Sequence, residues 1–116
     1  MELPPFFTDD ETLAADLLRH GTAQQDPLWR LPLWRGYEDT LTSRIADLNN
    51  VSPGPFAGAI IGALFLKRFV TATPNWLHVD LYAWNGKERP GRPIGGEAQA
   101  LRALYALLAA RYGARA

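Results

Sequence analysis

The feature that most constrains this chain is an uncharged stretch that contains a strongly apolar helix. No charged residue occurs from Leu48 to Leu66, and the segment from Phe56 to Val70 is apolar around nearly its whole predicted circumference. A helix that is apolar all round must be buried nearly all round. The uncharged apolar part of this helix stops before Lys67 and Arg68, and it is shorter than the length of about 20 residues that spans a bilayer. We therefore expect a buried helix and no membrane partner.

Composition narrows the class of protein further. The chain has 116 residues, enough for one domain or a piece of a larger one, and 47% of them are hydrophobic. Twelve basic residues balance twelve acidic ones, so no net positive field exists to attract nucleic acid. The absence of cysteine excludes disulfides and thiolate metal sites. The N-terminal residues lack the pattern of a secretory signal, so a cytoplasmic location is expected.

Four helices are predicted. The first begins at a capping box formed by Thr8 and Glu11 and ends at Gly21, a residue that favours the left-handed conformation found after helices. The others are predicted over about 36–43, 56–70 and 97–112. The last helix has an apolar stripe formed by Leu101, Leu104, Tyr105 and Leu108.

Two or three strands complete an α/β fold class. Trp76 to Trp84 is rich in aromatic and β-branched residues and predicts the longest strand, while Ile45 to Val51 is a second short strand or extended segment. Leu28 to Trp34 is extended, but Pro32 argues against a central strand. So few strands offer little surface to cover the apolar helix, which indicates a piece of a larger fold.

Candidate residues for chemistry are few, and each has a simpler structural interpretation. His78 and Asp80 share a strand face as possible metal ligands or an oriented base, but without a third ligand a buried hydrogen-bonded pair is favoured. The acidic run at 9–11 fits a helix cap better than a cation site. A surface loop, lacking the spacing of a phosphate-binding motif, is predicted for Lys87, Arg89 and Arg92. The sequence therefore predicts no catalytic residue and no metal ligand in this chain.

Several segments nevertheless follow one another in a familiar order. They are Trp29-Arg30-Leu31-Pro32-Leu33, Ile45-Ala46-Asp47-Leu48-Asn49-Asn50, Ala63-Leu64-Phe65-Leu66-Lys67-Arg68-Phe69-Val70, Trp76-Leu77-His78-Val79-Asp80-Leu81 and Gly91-Arg92-Pro93. This series resembles the C-terminal end of the leucyl aminopeptidase (cytosol aminopeptidase) family of two-metal exopeptidases. The resemblance begins at residue 28 and extends to about residue 110. It divides the chain into a variable N-terminal helical segment, 1–27, and a C-terminal portion of the catalytic domain, 28–116.

The resemblance implies an α/β/α three-layer domain, a hexameric parent and the release of N-terminal amino acids from peptides. In that family two divalent cations, manganese, zinc or magnesium, activate water for hydrolysis. The segment Asn-Thr-Asp-Ala-Glu-Gly-Arg, which belongs to the family's metal site, is absent from this sequence. We therefore expect a C-terminal fragment that is inactive alone. The alternative is a free-standing, non-catalytic interaction module that keeps the same fold.

Three positions match the family's substrate pocket. Val51 matches an aliphatic residue of the pocket for the residue beyond the scissile bond. Tyr82 stands where the family usually keeps a small alanine in the wall of the first-residue pocket, and Asn85 matches the floor of that pocket. The resemblance thus predicts a narrowed or reshaped pocket. If polypeptide outside this chain covers the apolar helix in the parent, the fragment alone exposes apolar surface and self-associates.

Overall fold

A three-stranded sheet at the centre of the main core organises the fold. In a computed structural model that describes residues 3–113, β1 (Pro5–Phe7) pairs in parallel with β2 (Trp29–Arg30) and antiparallel with β3 (His78–Val79). β1 is therefore the central strand, and the side chains of Phe6 and Phe7 are fully buried. No strand was predicted before residue 28, because a short, wholly buried strand shows no alternation of apolar and polar residues.

Among residues 3–113, three α-helices, one 3₁₀ helix and a small hairpin surround this sheet. The helices are α1 (Glu11–Ala23), α2 (Gly58–Lys67) and α3 (Leu101–Tyr112), and the 3₁₀ helix is Arg35–Leu41. The hairpin pairs β4 (Trp84–Asn85) antiparallel with β5 (Gly95–Gly96). The α/β fold class predicted from the sequence is confirmed. No helix among the residues described is long and apolar enough to cross a membrane.

The helices pack in two separate apolar cores. α1 and α3 pack together on one side of the three-stranded sheet, around Phe6, Leu13, Ala14, Leu17, Leu28, Ala100, Ala103 and Leu107. α2 packs against the 3₁₀ helix through Leu41, Ile61 and Leu64. Because side chains alternate along a strand, Phe7 faces away from the first core. α2 also contacts β1, so the sheet lies between helical elements.

The cap of α1 differs from the predicted capping box. Asp10 is the N-cap, and its carboxylate accepts the backbone N–H of Leu13 at 2.9 Å. The Thr8 hydroxyl instead accepts the N–H of Asp10 at 3.1 Å. Glu11 is thereby free to bind Arg30 on β2. The acidic run does begin the helix, but the capping side chain is that of Asp10.

The end of α1 also differs from the prediction. The helix continues through Gly21 to Ala23, and the residue with the left-handed backbone is Gln25, with φ of 51°. Gly21 is buried, and a Cβ there would lie 3.0 Å from the side chain of Leu28. The absence of a side chain at Gly21 therefore lets the segment after the helix, which includes Leu28, pack closely against α1.

Backbone turns explain why two predicted strands are shortened or absent. Ile45 to Val51 forms bends, since the Ser43 hydroxyl accepts backbone N–H groups from Ile45 and Ala46 and so competes with strand pairing. Ile45 is 98% exposed. The strand predicted from Trp76 to Trp84 is reduced to β3 and β4, because Ala83 has a left-handed backbone, with φ of 55°.

The last helix is shorter than predicted and buries a different face. Ala100 has φ of 66°, so α3 starts at Leu101 and not at Glu97. Its buried residues are Ala103 and Leu107, whereas three members of the predicted stripe are exposed, namely Leu101, Tyr105 and Leu108. The helix predicted over 36–43 is a 3₁₀ helix that ends at Leu41.

α2 is buried on one side only. Ile61, Ala63 and Leu64 are buried, but Phe56 beside its start is 83% exposed and Phe69 beyond its end is also exposed. A Cβ at either of its glycines, Gly58 or Gly62, would meet no atom within 4 Å among the residues described. All-round burial is therefore wrong for this chain alone, and the predicted exposure of apolar surface around this helix is confirmed.

Candidate functional site

Asn85 is the structural centre of the β4–β5 hairpin. Its side-chain amide donates to the carbonyl oxygens of Arg92 and Pro93 at 3.0 and 2.8 Å. Its carbonyl oxygen accepts the backbone N–H of Lys87 at 3.3 Å and the Arg89 guanidinium at 3.4 Å. Asn85 is only 4% exposed. The residue therefore determines the shape of the loop from within.

Arg89 and Arg92 converge on Glu97. Arg89 Nη2 lies 3.2 Å from one carboxylate oxygen of Glu97, and Arg92 binds the other oxygen. The two arginines are also joined by reciprocal backbone hydrogen bonds of 3.0 and 2.8 Å. The Glu97 side chain is largely buried. The predicted surface loop thus contains a partly buried, paired cluster, which the sequence prediction missed because it placed Glu97 in the following helix.

Tyr82 lies on the surface next to a fixed turn. Tyr82 is 62% exposed. The following residue, Ala83, has a left-handed backbone that interrupts the predicted strand. The N–H of Ala83 donates to the Gln99 side chain at 3.3 Å, and its carbonyl oxygen accepts the N–H of Glu97 at 3.0 Å. The backbone after Tyr82 is therefore anchored on both sides.

Val51 is exposed at the end of an anchored loop. It is 69% exposed, and its N–H donates to the Asn49 side chain at 3.2 Å. The N–H of Asn49 donates to the carbonyl oxygen of Leu41 at 2.8 Å, which ties the loop to the 3₁₀ helix. The loop borders a cavity of about 150 Å³ that is lined in part by Asn49, Gly58 and Gly62.

The three predicted pocket residues lie on different segments of the chain. Of the surface cavities among the residues described, five with volumes of about 150 to 460 Å³ include none of these three side chains in their linings. Val51 and Tyr82 present their side chains to solvent, whereas Asn85 is buried. Their role in substrate binding stays a prediction.

His78 is held by aromatic stacking. Its ring stacks on Phe7 with centroids 5.8 Å apart and on Trp76 with centroids 6.4 Å apart. No hydrogen bond joins it to Asp80 among the contacts described, so the predicted hydrogen-bonded pair is wrong. Burial lowers the pKa of the His78 imidazole, and the charge of Asp80 opposes this shift. The histidine is therefore a half-buried residue of the sheet that packs between aromatic rings.

The acidic residues at the start of α1 each have a separate partner. Asp9 pairs with Lys67, Asp10 caps the helix, and Glu11 forms two hydrogen bonds to Arg30 of 2.6 and 2.7 Å. These bonds lower the pKa of the Glu11 carboxyl. Within residues 3–113, no group of three or more His, Cys, Asp or Glu side chains is placed to hold a metal ion. These residues do not fit a metal centre.

Comparisons with known proteins extend this description. The cytosol aminopeptidase family, catalytic domain, matches residues 2–105. A probable cytosol aminopeptidase from Bordetella avium (strain 197N) is 45% identical over 93 residues, which cover 76% of this chain and 18% of that protein. Another from Synechococcus sp. (strain JA-2-3B'a(2-13)) is 38% identical over 117 residues, covering 99% of this chain and 22% of that protein.

Two solved structures have the same fold. The cytosol aminopeptidase from Coxiella burnetii superposes with a TM-score of 0.90 at 48% identity, covering 96% of this chain and 24% of that one. The bottromycin maturation enzyme BotP, in complex with Mn, gives a TM-score of 0.88 at 33% identity, covering 95% of this chain and 25% of that one.

These similarities define the chain as part of the catalytic domain of a peptidase. More specifically, the chain belongs to the cytosol aminopeptidase family. It spans about a fifth of the length of the curated relatives it matches. The family match begins at residue 2, earlier than the resemblance from residue 28, while the division at residue 27 stays a prediction.

Proposed function

We propose that this chain forms the C-terminal part of a metal-dependent aminopeptidase that releases N-terminal amino acids from peptides. The observation that carries this proposal is the family match over residues 2–105, joined by close structural likeness to the cytosol aminopeptidase from Coxiella burnetii. The same likeness to BotP in complex with Mn supports a divalent cation in the whole enzyme.

In this proposal the metal ligands lie in polypeptide outside this chain. The acidic side chains at the start of α1 are already bound to a lysine, a helix end and an arginine. We therefore propose that residues 3–113 do not by themselves hold two divalent cations, whether manganese, zinc or magnesium, and that the chain alone is inactive. When bound in the whole enzyme, such cations supply an activated water and polarise the scissile carbonyl group.

This chain contributes the walls of the substrate pocket. Val51 and Tyr82 have exposed side chains on anchored segments, which suits residues that contact a substrate. Asn85 acts differently, because it is buried and holds the hairpin beneath the proposed floor. The whole protein is proposed to work in the cytoplasm as a hexamer.

An activity assay of the purified chain tests the expected inactivity. The chain is incubated with leucyl-p-nitroanilide in the presence and absence of added Mn²⁺, with the Coxiella burnetii aminopeptidase as a positive control. We expect no hydrolysis by the chain alone. Metal-dependent turnover that persists after repeated purification contradicts the proposal that the metal ligands lie elsewhere.

The reading frame in the source genome tests the fragment against the alternative. Continuous coding upstream that includes Asn-Thr-Asp-Ala-Glu-Gly-Arg supports the aminopeptidase. A genuine translation start at Met1 favours a free-standing interaction module of the same fold, for which the exposed apolar surface at α2 and α3 is the supporting observation.

A further inference from the structure

A cavity of about 300 Å³ lies between the β4–β5 hairpin and the residues that precede α3. Arg89, Arg92 and Glu97 line it from the hairpin side, and Asp26 lines it from the turn after α1. Pro4, Pro27 and Pro90 also contribute to its lining and make part of the wall rigid and apolar. None of these residues belongs to the proposed substrate pocket.

Two arginines and two acidic residues line this cavity, but the two acidic residues have different partners. Asp26 accepts backbone N–H groups from Ala100, Arg102 and Ala103, so its carboxylate is fully occupied by the start of α3. On the opposite side two guanidinium groups share the single carboxylate of Glu97. The hairpin side therefore carries one positive charge in excess.

Arg89 also has an unused donor. Its Nε atom is buried and has no hydrogen-bond partner among the residues described. A buried donor on a charged group is costly when it lacks an acceptor, so an oxygen atom that reached Nε would remove this cost. The guanidinium group itself is fixed, since Nη2 binds both Glu97 and Asn85.

We propose that this cavity binds a small oxyanion, such as a carboxylate or a phosphate group. Guanidinium groups present planar, paired donors that match carboxylate and phosphate oxygens. The hairpin holds both arginines in place before binding, through their reciprocal backbone bonds and through Asn85, so little ordering is required. This binding is independent of the proposed aminopeptidase activity.

The proposal is tested by nuclear magnetic resonance on the ¹⁵N-labelled chain. Sodium phosphate is titrated while the Arg Nε–H signals are followed, and sodium chloride at matched ionic strength is the reference. Sodium acetate in a parallel titration distinguishes a carboxylate from a phosphate ligand. We expect a saturable shift of the Arg89 Nε–H signal with one or both oxyanions and none with chloride.

Two variants separate specific binding from general charge effects. For each variant, the melting temperature is measured with and without the oxyanion, which should stabilise the unaltered chain. Arg89→Lys keeps the positive charge but removes Nε and the planar fork, so this stabilisation should be lost. Arg35→Lys alters a highly exposed arginine that makes only a 3.9 Å contact with Glu38, and should keep that stabilisation. A shift that does not saturate, or that is equal for Arg35, indicates an adventitious ion only and overturns the proposal. Because the titration uses the unaltered chain, it remains decisive if Arg89→Lys unfolds.

Discussion

The carboxylate of Asp26 accepts the backbone N–H of Ala103, although the two residues are 77 positions apart in the sequence. Its oxygens also accept the N–H groups of Ala100 and Arg102, so one side chain satisfies three donors at the start of α3. The turn that follows α1 therefore fixes where the last helix begins, and the N-terminal segment is a structural part of the domain.

Replacing Asp26 with asparagine should destabilise the fold. The amide NH₂ of the new side chain would face at least one helix N–H that now has a carboxylate oxygen. A buried donor without an acceptor costs about 1–3 kcal/mol, and we expect a loss of that size in the free energy of unfolding. Urea denaturation measures it, with the exposed Asp47→Asn as the matched control. Equal stability of both variants would show that Asp26 does not hold α3.

Asn85→Asp should loosen the β4–β5 hairpin. The substitution places a carboxylate against the carbonyl oxygens of Arg92 and Pro93, which now accept from the Asn85 amide. Loss of two buried hydrogen bonds is expected to cost about 1–3 kcal/mol. Hydrogen exchange should accelerate at the backbone N–H groups of Arg89 and Arg92. Asn50→Asp, at an exposed position, is the control and should leave that exchange unchanged.

Secondary structure was predictable where one periodic pattern determines burial. α1 follows such a pattern, the helix at α2 was predicted from its continuous apolar run although its burial was not, and the extended segment at β2 was predicted from Pro32. The errors lie where local turns override the pattern. Ala83 and Ala100 both have left-handed backbones, and an alanine in the sequence does not indicate that conformation. The cluster around Glu97 was missed for the same reason, since it depends on the turn before α3.

The candidate site was predictable only as far as the resemblance extends. Neither composition nor spacing distinguishes Val51 and Tyr82 from other exposed apolar residues. Asn85 is different, because its burial and four hydrogen bonds depend on how the hairpin closes, which is a tertiary property. The sequence motifs identify the family, whereas the structural role of each side chain depends on its contacts in the folded chain.

Acidification should destabilise the chain through His78. Burial lowers the pKa of this imidazole below its usual value of 6.5, so the unfolded chain takes up a proton first as the pH falls. The contribution is complete above about pH 6.5 and is lost as the pH falls toward the pKa in the folded state. Denaturation at about pH 7.5 and about pH 5.5 measures it, and His78→Gln should reduce the difference. In His20→Gln, His78 is the only histidine, so its ring signals report the pKa directly; a value above 6.5 would contradict this account.

Tyr82→Ala should widen the proposed first-residue pocket. The test uses a chimera in which this chain replaces the matching part of the Coxiella burnetii aminopeptidase, to which it is 48% identical. We expect the substitution to raise kcat/KM for bulky N-terminal residues relative to small ones by about tenfold, roughly the effect of steric relief in an apolar pocket. Tyr112→Ala, at an exposed aromatic of α3, is the control. An unchanged preference would exclude Tyr82 from the pocket wall.

The exposed side of α2 should drive self-association of the isolated chain. Phe56 and Phe69 are exposed, and Gly58 and Gly62 leave the helix backbone open to a close neighbour. Apolar patches larger than a few hundred Å² tend to find partners, so the weight-average mass should rise above 12.9 kDa with concentration in sedimentation equilibrium.

Paired substitution locates the surface responsible. Burying one phenylalanine contributes about 1.5–3 kcal/mol, so Phe56→Ser combined with Phe69→Ser should weaken association by at least about tenfold. Tyr105→Ser, on the exposed face of α3, is the comparison and should have the smaller effect, because no glycine there allows close approach. A monomer at every concentration contradicts the prediction, and a larger effect of Tyr105→Ser would assign the contact to α3.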